Sequence, residues 1–228
     1  MALFKPSEPW AMTADAAAQR KSYGGHAARS ELELRTALEA FCRYRWPAAR
    51  VVHEIVMGEG RVRADVAAID AAHIVAIEVK GAYDDTTRLL HQVGMYQLCV
   101  PEVWMVVDER HGDDARLIRH LLPSVGLLVG KTERTYRDTG PVELRVDAEA
   151  VPRDPVWKCA LEMLWAEELR SVCERQRISV STRSTRPYMI ANILEVLTPS
   201  EIQAAICIEL RARQALWRAD DALGKDDA

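Results

Sequence analysis

The chain has no run of eighteen or more apolar residues, so nothing in it reads as a membrane-spanning helix. Its first residues, Met1 to Glu8, lack the continuous apolar stretch of a signal peptide, and a cytoplasmic location is expected. Cysteine is sparse and unpatterned. Cys42, Cys99, Cys159, Cys173 and Cys207 are odd in number and contain no Cys-x-x-Cys pair, which signals neither a zinc site nor a disulfide framework. They are expected to be reduced, mainly core residues. There is no excess of positive charge either: 30 Lys and Arg against 34 Asp and Glu leave a net charge of −4. A nucleic-acid partner would therefore have to be met by local patches. Arg43, Arg45, Arg50, Arg61 and Arg63 form one candidate cluster for phosphate contact, and Arg175, Arg177, Arg183 and Arg186 a second. No internal repeat is present.

What the chain does have is a 49% hydrophobic composition, enough for a substantial core and too much for global disorder. Strands are expected near 51–56, 61–69, 73–80, 103–107 and 125–129, and helices over 30–46, 84–98 and 113–122. That order fits an α/β sandwich around a mixed sheet. After about residue 150 the texture becomes helical, with an apolar face over 154–174, a Ser, Thr and Arg-rich linker over 178–186, and helices over 187–197 and 198–217. Thr198-Pro199-Ser200-Glu201 is a capping box with proline at the first helical position. The expected division is an arm (1–28), a core (29–150), a helical extension (151–218) and an acidic, disordered tail (219–228).

The most informative stretch is the hairpin carrying Asp65 and then Ile74-Val75-Ala76-Ile77-Glu78-Val79-Lys80. The second strand is apolar until its last three residues. Side chains alternate along a strand, so Glu78 and Lys80 emerge on one face, where Asp65 of the preceding strand can join them. Two carboxylates and a lysine at the end of a buried hairpin suit a divalent cation and a phosphate, although strand-end charges are also found as plain surface ion pairs. Gln92 and Tyr96, four apart, share one face of the following helix. Asp84 and Arg88 are also spaced for an ion pair at the helix start.

This arrangement resembles the PD-(D/E)XK nuclease superfamily over roughly residues 28 to 130. The resemblance rests on Ala64-Asp65, then Glu78-Val79-Lys80, then Gln92-x-x-x-Tyr96, and is nearest to RecB-like bacterial and phage members. It implies a restriction-endonuclease-like three-layer core, Mg2+ or Mn2+ as cofactor and DNA as substrate. Asp65, Glu78 and Lys80 would be catalytic. Asp65, Glu78, the Val79 carbonyl and a first-helix acid would hold metal; Gln92 and Tyr96 would bind substrate phosphate or support the metal carboxylates, and Arg63 and Arg88 would serve substrate. Some RecB-like members carry an iron–sulfur cluster on four cysteines; no such grouping flanks this core. Glu31 is the preferred first-helix acid. It extends the buried stripe of Leu34, Ala37, Leu38 and Phe41, whereas Glu33 lies well round the helix. Acids in a first turn also complement the helix dipole, and both roles stay open for Glu31.

Two functions follow: a metal-dependent deoxyribonuclease, or a catalytically silent DNA-binding or regulatory protein on the same fold that uses its C-terminal helices. Those helices, joined by a tight turn, read either as a helix-turn-helix or as a bundle packed on the core or on a second subunit. In the second case Ile202, Ala205, Ile206 and Leu210, with Ile190, Leu194 and Leu197, would be covered, and a homodimer is one way to cover them.

Overall fold

The computed structural model describes residues 26–132 and 141–214. The expected N-terminal arm, apart from its last few residues, and the acidic tail lie outside the described residues. Helix α1 (His26–Arg45) leads into strands β1 (Arg50–Met57), β2 (Val62–Ile69) and β3 (Ile74–Lys80). Then follow α2 (Leu89–Cys99), β4 (Glu102–Asp108), α3 (Gly112–Leu121), β5 (Gly126–Gly130) and β6 (Arg145–Ala148). Four helices complete the order: α4 (Trp157–Leu161), α5 (Ala166–Arg175), α6 (Arg186–Val196) and α7 (Pro199–Ala212).

The six strands form one mixed sheet in the order β1-β2-β3-β4-β5-β6. β1, β2 and β3 are an antiparallel meander, β3-β4 and β4-β5 are parallel, and β6 closes the far edge antiparallel to β5. Tight turns join the meander. The parallel crossovers need the lengths of α2 and α3 to return the chain.

Strand alternation divides the core into two layers. Val66, Val75, Ile77, Trp104 and Val106 face α1, where they meet Leu34, Leu38 and Phe41. Trp104 lies flat against β5: a Cβ on Gly126 would sit 2.3 Å from its ring, so that position must be glycine. On the other face Ile74, Ala76, Met105 and Leu127 pack against α2, α3 and all four C-terminal helices in one continuous cluster. Ile190, Ile202, Ala205, Ile206 and Leu210 are buried there, so α6 and α7 spend their apolar faces on the body of the protein. Leu194 differs; it is 37% exposed.

The sequence-derived boundaries hold closely for β1 to β5, and the capping box of α7 forms as read. Glu201 N–H donates to Thr198 Oγ1, and Thr198 N–H to Glu201 Oε2 at 2.8 Å. Three points are corrected. The helix expected over 84–98 begins only at Leu89, because Asp84 turns back to accept from Gly81 N–H at 2.6 Å and is not spent on Arg88. The helix expected over 154–174 is two, separated by residues 162–165, where tight turns of the main chain and an extended Trp165 interrupt it. Strand β6 was not foreseen. No helix among the described residues is long and apolar enough to cross a membrane.

Candidate functional site

The site forms where β2 parts from β3. Their ladder ends at Val66↔Ile77, so the next outward N–H, that of Val79, loses its strand partner. Asp65 replaces it: Oδ2 accepts from Val79 N–H at 2.8 Å. Oδ1 of the same carboxylate accepts from Arg35 of α1 at 2.7 Å. Asp65 thus belongs to a peptide on β3 and to a helix on one face of the sheet.

Glu78 faces the opposite layer and is 1% exposed. A carboxylate at that depth requires donors on both oxygens. Oε1 accepts from Lys80 Nζ at 2.7 Å and from Gln92 Nε2 at 2.5 Å; Oε2 accepts from the Tyr96 hydroxyl at 2.5 Å. The same hydroxyl lies 2.8 Å from the Arg63 carbonyl. Burial and the Glu78 charge push the Tyr96 phenol far above its ordinary range, so it remains a donor. The two carboxylates also sense each other across the strands. Burial first, and then the charge of Glu78, raise Asp65 to about 7 against the opposing pull of Arg35.

The end of β3 is pinned by close packing. A Cβ on Gly81 would fall 2.4 Å from Ser30 Oγ and 2.9 Å from the Glu31 backbone nitrogen, so the chain after Lys80 lies directly on α1. Ser30 Oγ accepts from Ala82 N–H at 3.0 Å, and His111 Nε2 lies 3.0 Å from the Gly81 carbonyl.

The structure therefore brings Glu78, Lys80, Gln92 and Tyr96 into direct contact, whereas Asp65, expected on the same face as Glu78 and Lys80, is turned to Arg35 of α1 and to the Val79 N–H and senses Glu78 through its charge. Of the two roles expected for Gln92 and Tyr96, the geometry shows the support of a carboxylate: both donate to Glu78, and Tyr96 is fully buried. Glu31 is paired with Arg35, whose Nε donates to it at 2.8 Å while Nη2 donates to Asp65, so the arginine stands between the two acids. Arg63 and Arg88 are exposed, and Arg63 is paired with Glu54 at 2.5 Å. The basic clusters are largely tied to the protein itself. Arg50 is buried and donates to the carbonyls of Leu210, Arg211 and Arg213, so it is removed from any surface role. Arg175 pairs with Glu209 at 2.5 Å, and Arg186 donates to the carbonyls of Glu162 and Leu164. Arg177 and Arg183 remain exposed.

Sequence reasoning missed Arg35, Glu54 and His53. Arg35 is 8% exposed and also reaches Glu54 at 3.2 Å, while His53 bridges from Arg35 to Glu39. Glu54 lies between the paired residues His53 and Ile55 of β1 at φ 59, a left-handed conformation costly for a residue with a side chain.

The donor set suits a hard divalent cation in kind. Asp65 and Glu78 supply oxygen, and Gln92 Oε1, beside Glu78, is buried without a hydrogen-bond partner. Two carboxylates suffice for Mg2+, which keeps several of its waters. Among the described residues, no group of three or more His, Cys, Asp or Glu side chains is arranged around one point. All five cysteines are free, four of them buried; burial raises Cys99 to about 11 and Cys207 to about 12, which leaves both as inert thiols.

No curated protein and no solved structure matches the chain. A family model does: residues 27–223, spanning both the sheet and the helices packed on it, match the one described as bacteriophage P4 protein cII, and the chain belongs to that family.

Proposed function

We propose that this protein is a divalent-metal-dependent nuclease acting on DNA, built on a restriction-endonuclease-like core. The observation that carries the reading is the convergence of Lys80, Gln92 and Tyr96 on the single buried carboxylate of Glu78, with the charge of Asp65 close enough to couple to it. A surface ion pair would need neither the glutamine nor the tyrosine, and it would not be buried. Mg2+ or Mn2+ held by Asp65 and Glu78, with the Val79 carbonyl as a further ligand, would supply an activated water and offset charge on the phosphate. Gln92 and Tyr96 fix the Glu78 carboxylate in place. Lys80 presents an ammonium at the same oxygen, placed to orient an attacking water or to stabilise the developing negative charge. Exposed Arg63 and Arg88 are the nearest candidates for backbone phosphate contact.

A second reading, a catalytically silent DNA-binding or regulatory protein, is favoured by one feature: each oxygen of Asp65 and Glu78 already accepts from a protein donor. The deciding experiment incubates plasmid and linear DNA with the full chain in Mg2+, Mn2+ or EDTA, beside Asp65→Ala, Glu78→Ala and Lys80→Ala. Cleavage is expected to need metal and to fall at least about 100-fold in each variant, the scale on which removal of a positioned catalytic group acts. Lys80→Ala is expected to keep its metal affinity. Wild-type cleavage by Glu78→Ala would overturn the assignment to this site, and DNA binding without cleavage in any metal would favour the second reading.

A further inference from the structure

The connection between α5 and α6 forms an open trough of about 600 Å³, lined by Ser179, Ser181, Arg183, Ser184, Thr185 and Tyr188 with Val180. No carboxylate lines it. Its lining is hydroxyl-rich and cationic, in a chain whose net charge is −4. Arg183 is exposed, and so is Arg177, two residues before the trough begins; among the described residues neither pairs with an acid. Arg177 also takes a left-handed φ of 56 at the end of α5, a position that glycine would occupy without strain. The trough is fixed by the body of the protein. Arg170 Nη1 donates to the Ser181 carbonyl at 2.8 Å, Ser181 N–H donates to Ser184 Oγ at 3.0 Å, and Ser184 N–H donates back to the Ser181 carbonyl at 3.0 Å. Arg186 turns inward to the carbonyls of Glu162 and Leu164, which anchors the first turn of α6. Met189 and Ile190 are buried beyond it, while Tyr188 stays 51% exposed at the edge of the trough.

We propose that this trough binds single-stranded nucleic acid, with its phosphodiester backbone on Arg183 and the serine hydroxyls and an unpaired base stacked on Tyr188. A pocket for a small molecule is enclosed and mostly apolar, and this one is neither. One guanidinium among neutral hydroxyls matches the single charge of a diester. The dianionic phosphate of a modified peptide calls for a cluster of arginines. Hydroxyls and arginine hold a backbone without reading sequence, and an exposed ring takes any base whose face is free. The loop is already ordered, so binding loses little conformational freedom. The inference goes beyond the metal-dependent reading and does not depend on Asp65 or Glu78. It also gives the C-terminal half a nucleic-acid contact through the loop before α6, since the apolar faces of α6 and α7 are used in packing.

The test is fluorescence anisotropy of labelled oligo-dT, oligo-U and a mixed-sequence duplex, titrated with the full chain in EDTA over a range of salt. The proteins are wild type, Arg183→Ala, Tyr188→Ala, Tyr188→Phe, Glu78→Ala and, as a control arginine outside the trough, Arg153→Ala, each checked for fold by circular dichroism. Wild type is expected to prefer a single strand to the duplex, and the dT and U arms tell a DNA strand from an RNA strand. Tyr188→Ala is expected to lose at least about fivefold in affinity with an unchanged salt slope, and Tyr188→Phe to retain wild-type affinity. Arg183→Ala is expected to lower the salt slope by about 0.7, the loss of one backbone contact to a single strand. Arg153→Ala and Glu78→Ala are expected to bind as wild type. Preference for duplex, indifference to Tyr188→Ala, or an equal loss in Arg153→Ala would overturn the inference, as would binding of a phosphoserine peptide in place of the oligonucleotide. Those results would leave the nuclease reading standing, because cleavage is assayed separately with metal.

Discussion

Two regions of this molecule bury arginine and acid, and they do so differently. At the site, Arg35 faces Glu31, Glu54 and Asp65, and beside it Asp65 and Glu78 couple across the strands. In the helical half, Arg213 makes a two-pronged pair with Glu168, Nε to Oε1 at 2.6 Å and Nη2 to Oε2 at 2.5 Å, and lies over the Trp165 ring. Arg50 nearby donates to the main-chain carbonyls of Leu210, Arg211 and Arg213 at the end of α7. One arrangement sets a single arginine against a single acid; the other gathers three acids about one arginine and raises one of them. Closed pairs hold helices. A crowded, raised carboxylate is the arrangement found at sites that bind or react.

The contrast predicts different responses. The largest effect is expected in the helical half. Arg213→Ala strands Glu168 in a buried position and is expected to destabilise the protein by about 3–5 kcal/mol, read by denaturant melts, with Mn2+ affinity of the folded protein unchanged. An equal loss of metal affinity would show that the two regions are not independent.

A smaller effect, confined to the site, concerns pH. The folded-state value of Asp65 is raised to about 7, above its unfolded value of about 3.9. The folded protein therefore holds a proton that the unfolded chain has released. Its contribution is fully present below about 3.9 and is lost as pH rises toward 7, at no more than about 1.4 kcal/mol per pH unit. Metal-free stability is expected to fall over pH 5 to 7, with Asp65→Asn flattening that slope. Mn2+ affinity should rise from pH 6 to 8 as the carboxylate becomes free to ligate. Metal-free stability that climbs with pH through this window, with no change in Asp65→Asn, would contradict the raised carboxyl.

The smallest effect is at Glu54. Glu54→Gly relieves the left-handed backbone while deleting one of the carboxylates about Arg35, and the two terms oppose each other at about 1 kcal/mol each. Melts are expected to shift little, whereas Arg63 is released from its partner. A loss comparable to that of Arg213→Ala would mean that Glu54 carries more of the fold than its contacts indicate.

How much of this was legible in the sequence depended on the range of the interaction. β1 to β5 and the α7 cap are written in local alternation and capping chemistry, and Glu78, Lys80, Gln92 and Tyr96 in spacings along one strand and one helix. Arg35 is legible as well: Glu31 extends the buried stripe toward Leu38, and Arg35, between them, lies on that same stripe. Glu54 was not legible, since a left-handed residue inside Val51-Val52-His53-Glu54-Ile55 leaves no trace in an alternating pattern. The break between α4 and α5 was hidden because Glu162 to Trp165 contains neither glycine nor proline. β6 is four half-buried residues added to an edge, too short to declare itself.

The contact between Gly81 and the start of α1 has a mechanical consequence. Beyond the apolar layer that packs it on the hairpin, the helix is attached there at two points: Ser30 and Glu31 on the chain just after Lys80, and Arg35, one turn further on, at Asp65. Two attachments on a stiff rod remove its freedom to roll or slide, so α1 works as a gauge that sets the spacing between β2 and the end of β3. Any load on the residues leading into α1 is therefore delivered to both carboxylate-bearing strands together, in proportion to the one turn that separates the attachments.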